Sequence, residues 1–96
     1  MSYSFGIKAA DKAAAKEAVA AKFDSEVVAH QPVHVRDRAA VLANVGSVID
    51  LLADDDTKDI MVSVNGYVSW GATVDGTEQF STVSVSATAS YATRAA

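Results

Sequence analysis

A chain of 96 residues holds one domain's worth of sequence, and its composition, 50% apolar and 21% charged, is that of a folding chain and not a disordered one. The absence of cysteine excludes disulfides, thiol catalysis and thiolate metal sites. A net charge of −4 disfavours nonspecific binding to nucleic acid or to an anionic membrane, since either would need a basic stripe.

The charge is uneven. Residues 1–38 hold six basic and five acidic side chains, whereas residues 39–96 hold two basic and seven acidic ones. An acidic surface of this kind suits solubility or a basic partner. Alanine supplies much of the apolar content, so a thin, closely packed core is expected. No apolar run approaches the roughly 18 residues of a membrane span. Met1 to Gly6 lack the charged start and apolar stretch of a signal peptide, which makes a cytosolic protein the expectation.

Tyr3, Phe5, Ile7 and Ala9 alternate with Ser2, Ser4, Gly6 and Lys8, predicting a half-buried strand over residues 2–9. Asp11 stands where an N-cap belongs, before a run of strong helix formers, and a first helix is expected over residues 11–29. Its apolar stripe is Ala15, Val19, Phe23 and Val27, with Lys12 and Lys16 pointing elsewhere. Pro32 then breaks the chain. A second helix, antiparallel to the first, is expected over residues 35–53, with Val35, Ala39, Leu42, Val45, Ile49 and Leu52 at helical spacing and Val41 and Val48 widening the stripe. Gly46 in its middle marks an expected close crossing of the two helices.

Asp54, Asp55, Asp56 and Thr57 turn the chain into an alternating stretch over residues 59–70, with Ile60, Val62, Val64, Gly66, Val68 and Trp70 on one parity. Asn65-Gly66 is a strong hairpin signal, but a turn there would scatter the apolar set over both faces. One long strand is the better reading, with Gly66 a bulge or a point of close packing. Asp75-Gly76 offers the turn, and Val83, Val85, Ala87, Ala89 and Tyr91 define a last strand over residues 80–92, followed by a frayed tail from Thr93. The order is β-α-α-β-β: an α+β fold with a small three-stranded antiparallel or mixed sheet and two antiparallel helices on one face.

The other sheet face would present Met61, Ser63, Asn65, Tyr67 and Ser69 beside Thr82, Ser84, Ser86, Thr88 and Ser90. Solvated strand faces ordinarily carry lysine and glutamate, which protect against sheet-to-sheet association. The alternatives are a merely solvated Ser/Thr face and a flat surface that pairs with a second copy or another protein.

The sites of other chemistry are weak. His30 and His34 have a zinc-like spacing, but Pro32 between them prevents the helix that would stack both rings, so no metal is expected. Asp54, Asp55, Asp56 and Asp59 lack the glycine and terminal glutamate of a calcium loop. No nucleophile elbow and no phosphate-cradling glycine loop is present, so neither an enzyme nor a cofactor is expected. His34, Arg36 and Arg38 at the start of the second helix could hold an anionic ligand or nucleotide. The plainer alternative is that the arginines pair with Asp24, Glu26 or Asp59.

Through Gln31-Pro32-Val33-His34, Asp37-Arg38-Ala39, Ile49-Asp50-Leu51-Leu52-Ala53-Asp54-Asp55, Lys58-Asp59-Ile60 and Val62-Ser63-Val64-Asn65-Gly66, the chain resembles small tailed-phage and prophage proteins of no assigned activity. The resemblance implies a phage-encoded product in the host bacterial cytoplasm, acting on a host or viral factor, and carries no site residue over. Together these readings predict a non-enzymatic, homo-oligomeric interaction protein. Sequestration of an anionic ligand and a minor virion component are the alternatives.

Overall fold

The computed structural model describes residues 2–31, 35–72, 74–76 and 79–93. Its elements are β1 (Ser2–Ala9), α1 (Lys12–Glu26), α2 (Arg38–Asp50), β2 (Lys58–Ala72), β3 (Gln79–Val83) and β4 (Ser86–Thr93). All strand pairing is antiparallel and centres on β2. On one side β1 sets Tyr3 opposite Gly66, Phe5 opposite Val64, Ile7 opposite Val62 and Ala9 opposite Ile60. On the other, β4 sets Tyr91, Ala89 and Ala87 opposite Ile60, Val62 and Val64, and β3 sets Val83 and Ser81 opposite Val68 and Trp70. The apolar parity of every strand therefore meets on one face, because side chains alternate with a period of two.

The sheet has four strands, not the three expected, because the stretch read as one strand over residues 80–92 is divided at Ser84 and Val85. No residue has been inserted: Val83 faces Val68 and Ser86 faces Asn65, leaving Ser84 and Val85 opposite Tyr67 and Gly66. The Ser84 N–H still donates to the Tyr67 carbonyl at 2.9 Å. The Ser84 carbonyl instead accepts the Tyr3 hydroxyl at 2.8 Å, and Ser84 Oγ takes its place as acceptor for the Tyr67 N–H at 3.0 Å. A Cβ on Gly66 would lie 2.0 Å from that carbonyl oxygen, so only glycine permits the carbonyl to sit there. Asn65-Gly66 thus makes no turn, and Gly66 is a point of close packing. The chain reverses near Asp75-Gly76, where Gly76 has φ +72°.

The helices are shorter than their apolar periodicity suggests. Asp11 caps α1 by accepting the Ala14 N–H at 2.8 Å, and Ala15, Val19 and Phe23 are buried as expected. α1 stops at Glu26 and not near residue 29; Val27 stays buried, and Val28–His30 tighten into a 3-10 turn. α2 begins at Arg38 and not Val35, and ends at Asp50 and not Ala53. Val35 pairs with Ser81 in a parallel bridge, so its burial comes from the sheet and not from a helical stripe. Val41, Val45 and Ile49 are the buried residues of α2, while Ala39 is exposed. A Cβ on Gly46 would meet only the Lys16 side chain, at 3.7 Å, so the helix crossing does not depend on that glycine.

Ion pairs join the two antiparallel helices at both ends. Lys12 donates to the Leu52 carbonyl at 2.6 Å and pairs with Asp54 at 3.1 Å, putting a cation at the carbonyl end of α2 where the helix dipole favours it. Lys16 meets Asp50 at 2.8 Å, and at the opposite end Arg38 grips Asp24 through two bonds of 2.6 and 2.8 Å. Between helices and sheet lie Phe23, Val27, Val45, Ile49, Ile60, Val62 and Val64, with the Tyr3 ring edge-on to Phe23 at 6.0 Å. Fully burying such side chains stabilises by roughly 1.5–3 kcal/mol each.

The molecule is elongated, 55 × 21 × 17 Å, with a radius of gyration of 15.1 Å. A compact chain of this length would give about 12.5 Å. The β2–β3 hairpin accounts for the difference, since β3 pairs with Val68–Ala72, past the last β2 residue paired with β1. Its outer edge is covered: the Arg36 N–H donates to the Ser81 carbonyl at 3.0 Å, and the Val83 N–H donates to Asp37 Oδ2 at 3.3 Å.

Candidate interaction face

Helices cover one face of the sheet, and the register places the expected strand residues on the other, with Ser84 in the break between β3 and β4. Met61, Ser63, Asn65, Tyr67 and Ser69 of β2 lie beside Thr82, Ser84, Ser86, Thr88 and Ser90, and β1 adds Ser2, Ser4 and Gly6. Among the described residues of this face, Met61 and Tyr67, 46% and 56% exposed, are the large apolar side chains most open to solvent. Tyr67 supplies the one ionisable group in the middle of the face. Charge appears at the ends: Lys8 and Asp59 pair at 3.7 Å near one, and near the other Arg36 stacks 4.4 Å from the Phe80 ring centroid. Phe80 itself lies across Gly71, where a Cβ would approach its ring to 3.1 Å.

Not all the hydroxyls of this face are free. Ser84 Oγ closes the break between β3 and β4, and the Ser69 and Thr82 hydroxyls bond each other at 3.1 Å. Ser63, Asn65, Ser86 and Thr88 are exposed. A lysine at Ser84 would therefore disturb the fold as well as the face, and Ser63 and Ser86 are the cleaner positions to probe.

The hairpin arm is tied to the rest of the molecule through Gln31. Its Oε1 accepts the Trp70 indole N–H at 3.0 Å and the hydroxyl of fully buried Ser81 at 3.4 Å. Trp70 is still 67% exposed, and with Gly71, Ala72, Gln79 and Phe80 it lines an open hollow of about 420 Å³. Nothing in the sequence pattern pointed to Gln31, since the bond joins residues 39 apart.

Of the residues singled out for anion binding, the two arginines are otherwise engaged. His34 lies outside the described residues. Arg38 is held by Asp24, as the plainer alternative expected; its hydrogen bonds draw the Asp24 carboxyl below the ordinary aspartate value and raise the guanidinium further. Arg36 has Phe80 under its guanidinium and Asp37 at 3.9 Å. In the acidic loop, Asp54 meets Lys12 and Asp55 meets Lys58 at 3.8 Å while accepting the Thr57 N–H at 3.0 Å. Among the described residues no three histidine, aspartate or glutamate side chains come together as a metal site would require. A cleft of about 240 Å³ beside that loop is lined by Asp11, Lys12, Asp54, Asp55, Asp56 and Tyr91.

Among the described residues no buried side-chain nitrogen or oxygen lacks a hydrogen-bond partner, and no helix is long and apolar enough to cross a membrane. The distinctive surface is thus an α+β sheet's uncharged outer face with the strand edges that flank it. Comparison with family models, curated proteins and solved structures finds no match to this chain.

Proposed function

We propose that this chain is a non-enzymatic interaction protein that self-associates through its uncharged sheet face or a strand edge and, so assembled, binds a further protein. One observation carries the reading. Between the Lys8–Asp59 pair and the Arg36–Phe80 stack, the outer face offers hydroxyls, an amide, Met61 and Tyr67, with no lysine or glutamate to keep another sheet away. Small uncharged side chains let a second surface approach closely, and their hydroxyls cost less to bury than charges would, provided each finds a hydrogen-bond partner across the contact. The resemblance to tailed-phage and prophage proteins supplies the setting: a phage-encoded product in a bacterial host, with a host or viral protein as the further partner.

The mass in solution, from light scattering coupled to size-exclusion chromatography over a concentration series at two salt levels, tests the reading. Assembly beyond 10.0 kDa that persists at high salt is expected, because the contact is uncharged. A strict monomer at every concentration overturns it.

A further inference from the structure

Resting on that reading of self-association, the geometry points to one place for it: the outer edge of β4, where a second copy of this chain pairs antiparallel about a two-fold axis and joins the two sheets into one. The hydrogen-bond parity on the β2 side starts the argument. Ser84 N–H donates across to Tyr67, so even-numbered residues of this strand direct their backbone groups to β2 and odd-numbered ones direct theirs outward. The same parity governs the β3 half, where the outward groups of Ser81 and Val83 are taken by Arg36 and Asp37. In β4 the outward residues are Ala87, Ala89 and Tyr91, and among the described residues no segment pairs with that edge. Among the described residues the fold covers half of this edge and leaves the other half open.

Charge is missing from β4 itself and from the body of the helix above it, the nearest acidic groups being Asp54, Asp55 and Asp56 beside Tyr91 at the end of the strand. β4 reads Ser-Ala-Thr-Ala-Ser-Tyr-Ala-Thr, and α2, the helix packed on it, has no ionisable side chain from Ala39 to Ile49. The opposite side differs: β1 carries Lys8, and α1 above it carries Lys12, Lys16, Glu17, Lys22, Asp24 and Glu26. Edge strands are ordinarily blunted by charge, proline or a bulge, and β4 has none of these. The edge is also self-complementary. With the axis at Ala89, Ala87 faces Tyr91 of the second copy and Thr88 faces its Ser90, so no like charges meet, and about six intermolecular backbone bonds form.

Size fits a modest dimer. Eight residues of strand at about 3.3 Å each, across a molecule 17 Å thick, project roughly 450 Å² per copy. The total approaches the ~1,000 Å² that a specific interface needs. A two-fold pair through β4 closes on itself, whereas β4 on β1 would continue as an open filament. The joined sheets double the width of the uncharged outer face available to a further protein.

The test uses the full chain. Ala89→Pro removes an outward N–H and leaves the ladder to β2 intact, so the monomer keeps its fold while the dimer weakens roughly tenfold or more. Because the chain has no cysteine, Ala87→Cys, Thr88→Cys, Ala89→Cys and Ser90→Cys, made singly, report the axis directly. A pair of opposed residues about 5.5 Å apart lies within disulfide range, so a cross-linked dimer is expected at Ala89 and none at Ser4 on the β1 edge or Ser63 on the face. A wild-type dimer that survives Ala89→Pro and cross-links at none of the four β4 positions overturns the β4 edge and leaves self-association standing. A wild-type monomer overturns both.

Discussion

Replacing Gly66 by alanine should cost far more than the one added methyl suggests. The new Cβ would lie 2.0 Å from the Ser84 carbonyl oxygen and 2.8 Å from the Tyr3 hydroxyl. The first of these is backbone and cannot swing aside as the end of a side chain can. Either the Ser84 peptide turns back into the ladder and abandons the Tyr3 hydroxyl, or the strands part around Val64 and Val68. Overpacking costs about 1–3 kcal/mol and the lost hydrogen bond about 1 kcal/mol more. Against this, an alanine restricts the unfolded chain by about 0.4–1 kcal/mol, and φ is not positive at this glycine, so no backbone strain is added. The net loss is about 1–3.5 kcal/mol, lowering the melting temperature by roughly 5–25 °C in a domain of this size.

Urea unfolding followed by circular dichroism and Trp70 fluorescence measures it, with Gly6→Ala as the control. A Cβ on Gly6 would meet only the Val62 carbonyl, at 3.6 Å, so that variant should stay within about 0.5–1 kcal/mol of the parent. In a Tyr3→Phe background the cost of Gly66→Ala should shrink by about 1 kcal/mol, since the shared bond is already gone. If Gly66→Ala is as stable as the parent, or loses no more than Gly6→Ala, the account of the β3–β4 break is wrong.

Three further outcomes are expected. Gly46→Ala should stabilise by about 1 kcal/mol, because alanine is the better helix former and its Cβ meets only Lys16 at ordinary contact distance; a loss in denaturant midpoint would contradict this. Burial raises the Tyr3 phenol above its ordinary value, so the neutral side chain's contribution is whole below about pH 10 and is lost as pH climbs through the folded value. Unfolding midpoints above pH 10 should therefore fall faster in the parent than in Tyr3→Phe. The hydrogen bonds from Arg38 lower the Asp24 value, so their contribution is present above about pH 4 and is lost as pH falls through the folded value. Asp24→Asn should flatten the acid limb of the stability profile, and because the pair is exposed, 1 M salt should largely erase the difference.

Much of the architecture was legible from period alone. The alternation from Ile60 to Trp70 placed the apolar set on one face and overruled the turn signal of Asn65-Gly66, because a turn there would have put that set on both sides of the sheet. The outer face was legible for the same reason, since strand parity assigns a side chain to a face whatever the partner strand is. The stripe Ala15, Val19, Phe23 and Val27 was equally plain, but the helix ends were not. Val28 to His30 tighten into a 3-10 turn through local bonds, whereas Val35 to Asp37 have residues that a helix tolerates and are held out of it by a competing partner: Ser81 accepts from Arg36, and Val83 donates to Asp37.

By itself, then, the sequence determined which faces are apolar, which is uncharged, and that two helices and a small sheet share one core, because those follow from local period and composition; that every strand pair is antiparallel came from the fold. The absence of charge from Gln79 to Thr93 was also there to be read, but it runs through β3 and β4 alike and does not say which edge is covered. Only the tertiary structure decided that the last strand breaks at Ser84, that Gly66 is the reason, and that the segment from Val35 to Asp37 covers β3 while among the described residues nothing pairs with the outer edge of β4. Each depends on which backbone groups meet across dozens of residues, and every backbone N–H and C=O looks alike in a sequence until a fold gives it a partner or leaves it without one.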